Sequence, residues 1–203
     1  MIEEVNFKAP RRSLTPADIL PLESYNLVRE EKRRTIAAMK RNRRMPVGPY
    51  ATFIFENYET MWLQVQEMLR IEKGGEEQLA DELRAYNPLI PKGDELVATI
   101  MFEIDNPTLR QTVLASLGGV ENMMQIRLDG QTIIGTPERD LEYTSPEGKA
   151  SSVLFVHFRF TPAEISLFRA PDAEVIVAVA HPNYAHMAIM PENVKRELTN
   201  DFA

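Results

Sequence analysis

Apolar residues recur every three to four positions in several stretches of the chain, which is the spacing of one face of an α-helix. The longest stretch starts at Ser24, a typical N-cap residue, and extends to about Arg43, with apolar residues at Tyr25, Val28 and Ile36. Other stretches with helical signals are 61–73, 76–86, 107–117, 162–168 and the residues after Pro191. The pattern therefore predicts several helices in the first half of the chain and short ones later.

Other stretches alternate apolar and polar residues, or are rich in β-branched and aromatic residues, and they predict strands. The clearest is 152–160, in which Leu154, Val156 and Phe158 share one face. The pair Asp129-Gly130 lies between two apolar runs and predicts a two-residue hairpin turn. Further predicted strands are 51–55, 95–104, 123–128, 131–135, 174–180 and 185–190, and residues 136–149 are predicted to form a long loop.

The order of these elements indicates the fold class. Helices come first, strands dominate afterwards, and short connections favour antiparallel pairing. We therefore predict an α+β fold in which N-terminal helices are followed by a curved, mainly antiparallel sheet with short helices packed on it. Residues 1–21 contain three prolines and few apolar residues, so they are predicted to be an N-terminal arm, and 22–203 a single α+β domain.

Composition excludes several classes of protein. The chain has 203 residues, of which 44% are hydrophobic and 26% charged, as in ordinary globular proteins. The longest apolar run is 175–180, far shorter than the ~20 residues of a membrane span. The acidic N-terminus lacks the apolar region of a secretory signal, and we expect a cytoplasmic location. The absence of cysteine excludes disulfides, thiolate nucleophiles and an iron–sulfur cluster ligated by the chain itself.

Phosphate-binding loops of the standard kinds are also missing. The sequence has neither a Walker A motif nor G-x-G-x-x-G, and the pairs Gly74-Gly75 and Gly118-Gly119 follow predicted helices, where they act as C-caps. No histidine has a glutamate three residues before it, which excludes a ferritin-like di-iron site.

Charge is distributed unevenly along the chain. The formal net charge is −7, yet residues 8–44 hold eleven basic and four acidic residues, or +7, and residues 45–203 hold 12 basic and 24 acidic residues, or −12. A basic block on an acidic protein is typical of a docking surface, and Arg41, Arg43 and Arg44 are the predicted partner-binding residues. Alternatively, the basic face contacts the acidic body of the same chain or of a second copy in a homo-oligomer. Nucleic-acid binding is disfavoured because no RNA-binding aromatic motif accompanies the arginines.

Two further groups of residues are candidates for chemistry. A polar cluster is predicted where the strand 51–55 meets the next helix, and its members are Glu56, Asn57, Gln64, Glu67, Arg70 and Glu72. The alternative is an ordinary solvated helix face with its caps. His181 and His186 flank a turn and, with His157 from a neighbouring strand, are candidate metal ligands. Each histidine could equally make structural hydrogen bonds.

Four segments carry a resemblance to a known family. They are Leu14-Thr15-Pro16 with Arg43-Arg44 and Val47-Gly48-Pro49; Phe55-Glu56-Asn57 with Gln64, Glu67-Met68 and Arg70; Glu82-Leu83 with Ala85-Tyr86-Asn87 and Leu89-Ile90-Pro91; and His181-Pro182 with Tyr184. Together they resemble DUF3501, a prokaryotic family of unknown function. Genes of that family often neighbour rubrerythrin and iron–sulfur, heterodisulfide-reductase-like proteins. The resemblance therefore implies a rubrerythrin-like or iron–sulfur partner and no established activity or cofactor.

Three hypotheses follow from the sequence. The first is a non-catalytic accessory protein that acts with a non-haem iron or iron–sulfur redox partner. The second is an enzyme or a metal- or cofactor-binding protein that uses the polar cluster and the His181–His186 turn. The third is a nucleic-acid-binding protein that uses the basic N-terminal helix.

Overall fold

A computed structural model describes residues 11–139 and 141–203. Within these ranges the chain forms six α-helices and nine strands, and the α+β prediction is confirmed. The helices are α1 (Leu22–Lys40), α2 (Tyr58–Glu72), α3 (Gly75–Tyr86), α4 (Pro107–Ala115), α5 (Pro162–Arg169) and α6 (Glu192–Leu198). The strands are β1 (Arg44–Val47), β2 (Ala51–Phe55), β3 (Glu95–Phe102), β4 (Met124–Leu128), β5 (Gln131–Ile134), β6 (Thr136–Pro137), β7 (Val153–Arg159), β8 (Val175–His181) and β9 (Tyr184–Ile189).

The strands form two antiparallel sheets. The first has the order β1-β2-β3-β7-β6 and the second β5-β4-β8-β9. Gly135 lies between β5 and β6, so one stretch of chain leaves the second sheet there and pairs with β7 in the first. A Cβ at Gly135 would lie 2.5 Å from Val156 Cγ1, which explains why glycine occupies this bend. On the opposite side, the hydroxyl of Tyr184 in β9 donates to the Val47 carbonyl and accepts from the amides of Tyr50 and Ala51. The two sheets are therefore tied together at both edges.

Two apolar cores result from this arrangement. The larger lies between the sheets and contains the inward residues of every long strand, such as Phe53, Ile100, Ile126 and Phe158. The smaller lies between the outer face of the first sheet and helices α2 and α3, and it includes Val65, Leu83 and Val97. Helices α2 and α3 therefore cover the outer face of the first sheet. The basic helix α1 lies on the same side, because it packs against α2.

Three segments differ from the sequence prediction. The proline-containing stretch 45–49 follows the first predicted helix and is predicted to break it, but residues 44–47 form strand β1. Pro46 is tolerated because β1 is an edge strand whose outer side needs no backbone donor. Residues 136–149, predicted to be a loop, include the short strand β6. Helix α1 starts at Leu22, after Pro21, rather than being capped by Ser24.

The predicted arm needs a correction for its second half. Leu14 is 3% exposed and belongs to the smaller core, and Asn87 exchanges two hydrogen bonds with its backbone. The indole of Trp62 donates to the carbonyl of Asp18. Residues 11–21 are therefore packed on the body, and residues 1–10 of the predicted arm lie outside the described residues.

Candidate functional site: a basic groove along the first helix

The predicted polar cluster is spread along helix α2 instead of converging. Asn57 caps α2 by accepting from the amide of Thr60, and Gln64 donates to the Tyr86 hydroxyl. Glu72 accepts from Gln78, and Arg70 donates to Asn26 instead of pairing with Glu67. Each of these side chains makes a separate structural contact, so the structure does not bring them together around one substrate.

Glu67 is the most strongly bound member of the cluster. Its two carboxylate oxygens accept from Arg29 at 2.7 and 2.8 Å, and one of them also accepts from the Tyr25 hydroxyl. These hydrogen bonds, led by Arg29 and opposed by burial, lower the pKa of Glu67 to about 2. Burial and the adjoining carboxylate raise the pKa of Tyr25. Glu67 is therefore a fixed anion that joins α2 to α1.

Glu56 is buried between the end of β2 and β3. It is 3% exposed, and one oxygen accepts from the Thr99 hydroxyl at 2.7 Å. The other oxygen finds no donor among the described residues. This carboxylate therefore lies in the interior of the protein and not on its surface.

His157 lies between two carboxylates. Its Nδ1 is 3.0 Å from Glu95 Oε2 and its Nε2 is 2.8 Å from Glu138 Oε2. Ionised carboxylates only accept hydrogen bonds, so both ring nitrogens must carry a proton. Burial disfavours the imidazolium, but the hydrogen bonds and charges of Glu95 and Glu138 outweigh it and raise the pKa of His157. An imidazolium with both nitrogens engaged is not a metal ligand.

The other two histidines are also engaged elsewhere. His181 is buried, with its Nδ1 accepting from the Asn183 amide and its Nε2 3.3 Å from the Gly118 carbonyl oxygen. The ring of His186 packs on Tyr184 and against Gly48, where a Cβ would collide with it. Across residues 11–139 and 141–203, no group of three or more His, Asp or Glu side chains is arranged to hold a metal ion. The predicted convergence of His157, His181 and His186 is therefore corrected.

The three predicted partner-binding arginines have different environments. Arg43 is 1% exposed, and its guanidinium donates to the carbonyls of Phe55 and Glu56 and to the carboxylates of Asp201 and Glu197. Burial raises the pKa of Asp201 to about 6, against the opposing attraction of Arg43. Arg43 therefore joins the β2 end to the C-terminal segment and presents no surface to a partner.

Arg41 and Arg44 remain at the surface. Arg44 pairs with Glu103 at 2.6 Å, with both side chains about half exposed, so its charge is partly neutralised. Arg41 follows directly after α1 and has no carboxylate within 4 Å among the residues the structure describes. Of the three, Arg41 is thus the one that keeps an available charge.

A groove of about 630 Å³ runs along α1, and several cations of the basic segment line it. Arg29, Arg33 and Lys40 follow one another at spacings of four and seven residues, which places them on one stripe of the helix. Arg34 and Glu30 also line the groove, and Ile36, Ala37 and Leu63 form its apolar floor. We call this feature the basic groove.

Charge in the basic groove is largely uncompensated. Arg29 is paired with Glu67, whereas Arg33, Arg34 and Lys40 have no ion-pair partner within the described part of the chain. The basic block is evident in the sequence, but the predicted partner-binding residues Arg41, Arg43 and Arg44 lie at its C-terminal end, beyond the groove. The four- and seven-residue spacing was the signal that could have identified the stripe.

Comparisons with known proteins agree with this fold. The family model described as "Protein of unknown function (DUF3501)" matches residues 13–202. The chain belongs to this family. DUF3501 was the family that the sequence resemblance indicated, and that prediction is confirmed. A crystal structure of a protein of unknown function from Burkholderia pseudomallei is 32% identical to this chain, with a TM-score of 0.87, and the match covers 94% of this chain and 100% of that one.

Two negative findings complete the comparison. No curated protein matches the DUF3501 chain. Among the helices of the described residues, none combines the length and apolar character of a membrane span.

Proposed function

We propose that this DUF3501 protein is a non-catalytic accessory protein that docks on an acidic surface of a partner protein through the basic groove. The observation that supports the proposal is a set of three cations, Arg33, Arg34 and Lys40, which have no ion-pair partner among the described residues and lie beside an apolar floor. Uncompensated like charges on one helix repel one another, and an acidic partner would remove that repulsion. The apolar floor would add contact area that is withdrawn from water.

A protein partner is favoured over nucleic acid by the rest of the molecule. The formal net charge is −7, so a polyphosphate would be repelled by most of the surface outside the groove. The floor formed by Ile36, Ala37 and Leu63 suits aliphatic side chains rather than phosphates. A basic groove with an apolar floor is the expected counterpart of an acidic amphipathic segment.

We further propose that the partner is a rubrerythrin-like or iron–sulfur redox protein. The support is the family resemblance, because members are often encoded beside such proteins. A chain without cysteine ligates no iron–sulfur cluster through thiolates of its own, and an accessory role beside a cluster-bearing partner is consistent with that composition.

The test measures binding between the purified protein and a purified rubrerythrin-like or iron–sulfur protein of the same organism. The variant combines Arg33→Glu, Arg34→Glu and Lys40→Glu, and leaves Arg29 and Arg43 in place because both hold internal carboxylates. We expect the dissociation constant to rise at least ~100-fold, since three attractive contacts become repulsive. Binding by the wild type is expected to weaken steadily with added salt.

A matched control has the same change in charge elsewhere. Arg110, Arg139 and Lys149 are exposed cations outside the groove, and their conversion to glutamate should alter affinity by less than about threefold. Equal losses in the two triple variants would show that net charge, rather than the groove, governs binding. A wild type that binds neither redox protein contradicts the redox assignment. A salt-sensitive shift of labelled RNA or DNA that the groove variant abolishes would favour the nucleic-acid hypothesis, and self-association abolished in the same way would favour a second copy.

A further inference from the structure

A second concave site lies on the outer face of the first sheet, at its β6 edge. It is a cavity of about 380 Å³. Cross-strand pairing between β3 and β7 puts His157 beside Val97 and Arg159 beside Glu95 on this face. Strand β6 pairs with β7 along the same edge and brings Glu138, the residue that follows it, to His157. The remaining lining residues are Pro88, Lys92, Thr136, Pro137 and Arg139. We call this feature the cationic cavity.

The acceptor groups of the cationic cavity are already engaged within the protein. One oxygen of Glu95 accepts from the Lys92 amide, and the other accepts from Nδ1 of His157. Glu138 is held in the same way, by the Arg139 amide and by Nε2 of His157. Each of the four carboxylate oxygens therefore has a donor, and the imidazolium has no free N–H for a ligand.

The two arginines of the cavity, in contrast, have donors to spare. The nearest carboxylate oxygen to Nε of Arg159 is Oε2 of Glu95, at 3.8 Å, and the Arg159 side chain is 77% exposed. Within residues 11–139 and 141–203, the guanidiniums of Arg139 and Arg159 donate no hydrogen bond. Each guanidinium carries five N–H groups, so both can donate to a molecule in the cavity.

Lys92 adds a cation that is fixed in place. Its Nζ donates to the carbonyls of Arg12 and Asn87 at 2.7 and 2.9 Å, which leaves one of its three N–H groups for another acceptor. Together with the imidazolium and the two guanidiniums, the lining holds four positive groups and two carboxylates, or a net charge of +2. A cavity with spare donors, engaged acceptors and a positive charge is complementary to an oxyanion.

We propose that the cationic cavity binds a small organic dianion whose charge lies on oxygen atoms, such as a phosphate monoester or a dicarboxylate. The oxygens of the dianion accept from the spare N–H groups of Arg139, Arg159 and Lys92. The volume lies within the range of small-molecule sites, and the rings of Pro88 and Pro137 offer apolar contact to the organic group. The cavity shares no lining residue with the basic groove, so the inference stands or falls independently of the proposed function.

The experiment uses the purified protein near neutral pH, with phenyl phosphate and succinate as separate probes. Calorimetry and the shift of the thermal unfolding midpoint measure binding, because a ligand that binds the native state raises that midpoint. We expect saturable binding of at least one dianion with a dissociation constant of ~1 mM or lower, and no binding of succinamide, the neutral counterpart of succinate. Binding of phenyl phosphate alone identifies a phosphate ester site, and binding of succinate alone identifies a dicarboxylate site.

Two variants and a control place the binding in the cationic cavity. Arg159→Met and Lys92→Met each remove one cation, and each should weaken binding of the dianion ~10-fold. The Arg159 side chain is mostly exposed, so Arg159→Met is expected to fold even if Lys92→Met does not. Lys149→Met removes an exposed cation outside the cavity and should bind as the wild type does.

Three results would overturn the proposal. The first is a wild type that binds neither phenyl phosphate nor succinate. The second is equal binding of succinate and succinamide, which would show that charge does not govern binding. The third is wild-type affinity in the folded Arg159→Met variant, or a loss in Lys149→Met as large as the loss in Arg159→Met.

Discussion

At the scale of single residues, Arg43 and His157 show how a charged group in the interior is held by several partners at once. Arg43 donates to two backbone carbonyls and two carboxylates although it is 1% exposed, and His157 bridges two glutamates on different elements. Burying a charge is costly unless it is paired and hydrogen-bonded, so such residues are structural constraints. The same basic or imidazole side chain on the surface would be a candidate for binding, and burial alone separates the two roles.

Removing the Arg43 charge is expected to be strongly destabilising. Arg43→Met leaves Asp201 buried without its partner, and the expected loss is about 3–5 kcal/mol in the free energy of unfolding, measured by urea denaturation. Adding Asp201→Asn to Arg43→Met should recover part of that loss. Arg41→Met, two residues away and exposed, serves as the control and should stay within about 0.5 kcal/mol of the wild type. Equal effects of the two single variants would contradict the internal role.

The two glutamates around His157 make the stability of the protein depend on pH. Its pKa is raised in the folded state, so its contribution is complete below its ordinary pKa and is lost as the pH rises through the folded value. The pKa of Glu95 is lowered in the net, because the hydrogen bond and charge of His157 overcome the effect of burial. Its contribution is complete above its ordinary pKa and is lost as the pH falls through the folded value. The group formed by His157, Glu95 and Glu138 should therefore stabilise the protein most in mildly acidic solution.

The check compares wild type with His157→Gln by urea denaturation across the pH range. The variant should be less stable by about 2 kcal/mol near pH 6, and the difference should shrink in alkaline and in strongly acidic solution. His186→Gln is the matched control, because His186 contacts Gly48 and Tyr184 rather than a carboxylate. A difference that grows with rising pH would show that His157 is neutral in the folded protein.

At the scale of elements, caps and turns follow local signals, whereas sheet membership does not. The helices predicted from residues 107 and 162 start there, with Asn106 and Thr161 as their N-caps, and the Asp129-Gly130 turn joins β4 to β5. Strand β1 carries a proline, and the sequence pattern does not predict it as a strand, because its strand character comes from its partner β2. A short strand of this kind is stabilised by pairing with another strand, so its own local sequence does not reveal it.

The bend at Gly135, between β5 and β6, can be tested with a single substitution. A Cβ there would lie 2.5 Å from Val156 Cγ1, 2.9 Å from Phe158 Cε1 and 3.1 Å from the Met124 carbonyl oxygen. Gly135→Ala should therefore cost about 2 kcal/mol of unfolding free energy, as overpacking usually does. Gly130→Ala meets no atom within 4 Å, and its cost should be only about 1 kcal/mol, from the positive φ of that turn. A Gly135→Ala protein as stable as the wild type would mean that the bend adjusts freely.

At the scale of the whole molecule, the two sheets share the larger apolar core and are also joined by hydrogen bonds at one edge. The Tyr184 hydroxyl connects β9 to the turn between β1 and β2 through three hydrogen bonds. Tyr184→Phe would remove the partner of the Val47 carbonyl and of the Tyr50 and Ala51 amides. We therefore expect a loss of about 2–3 kcal/mol in the free energy of unfolding. Tyr50→Phe is the control, since the Tyr50 hydroxyl makes no hydrogen bond within the described part of the chain. Similar melting temperatures for the two variants would contradict the role of this hydroxyl.

Charge is also organised at this scale. The basic groove follows from one stripe of α1 meeting the surface of α2, so its shape depends on how the two helices pack. The protein thus carries a concave basic surface although its formal net charge is −7. The function proposed above rests on that surface, and the binding experiment with its matched charge control tests it.

The sequence by itself determined the fold class, the family, most helix and strand positions and the uneven charge. These depend on hydrophobic spacing, capping residues and turn residues that act within a few positions of one another. The tertiary structure alone decided which charges are buried, since Arg43 and Arg44 are neighbours in sequence and lie in the interior and at the surface respectively. It also separated the three histidines and placed His157 in the cationic cavity. Burial is a property of contacts between distant segments, so no local pattern of residues specifies it.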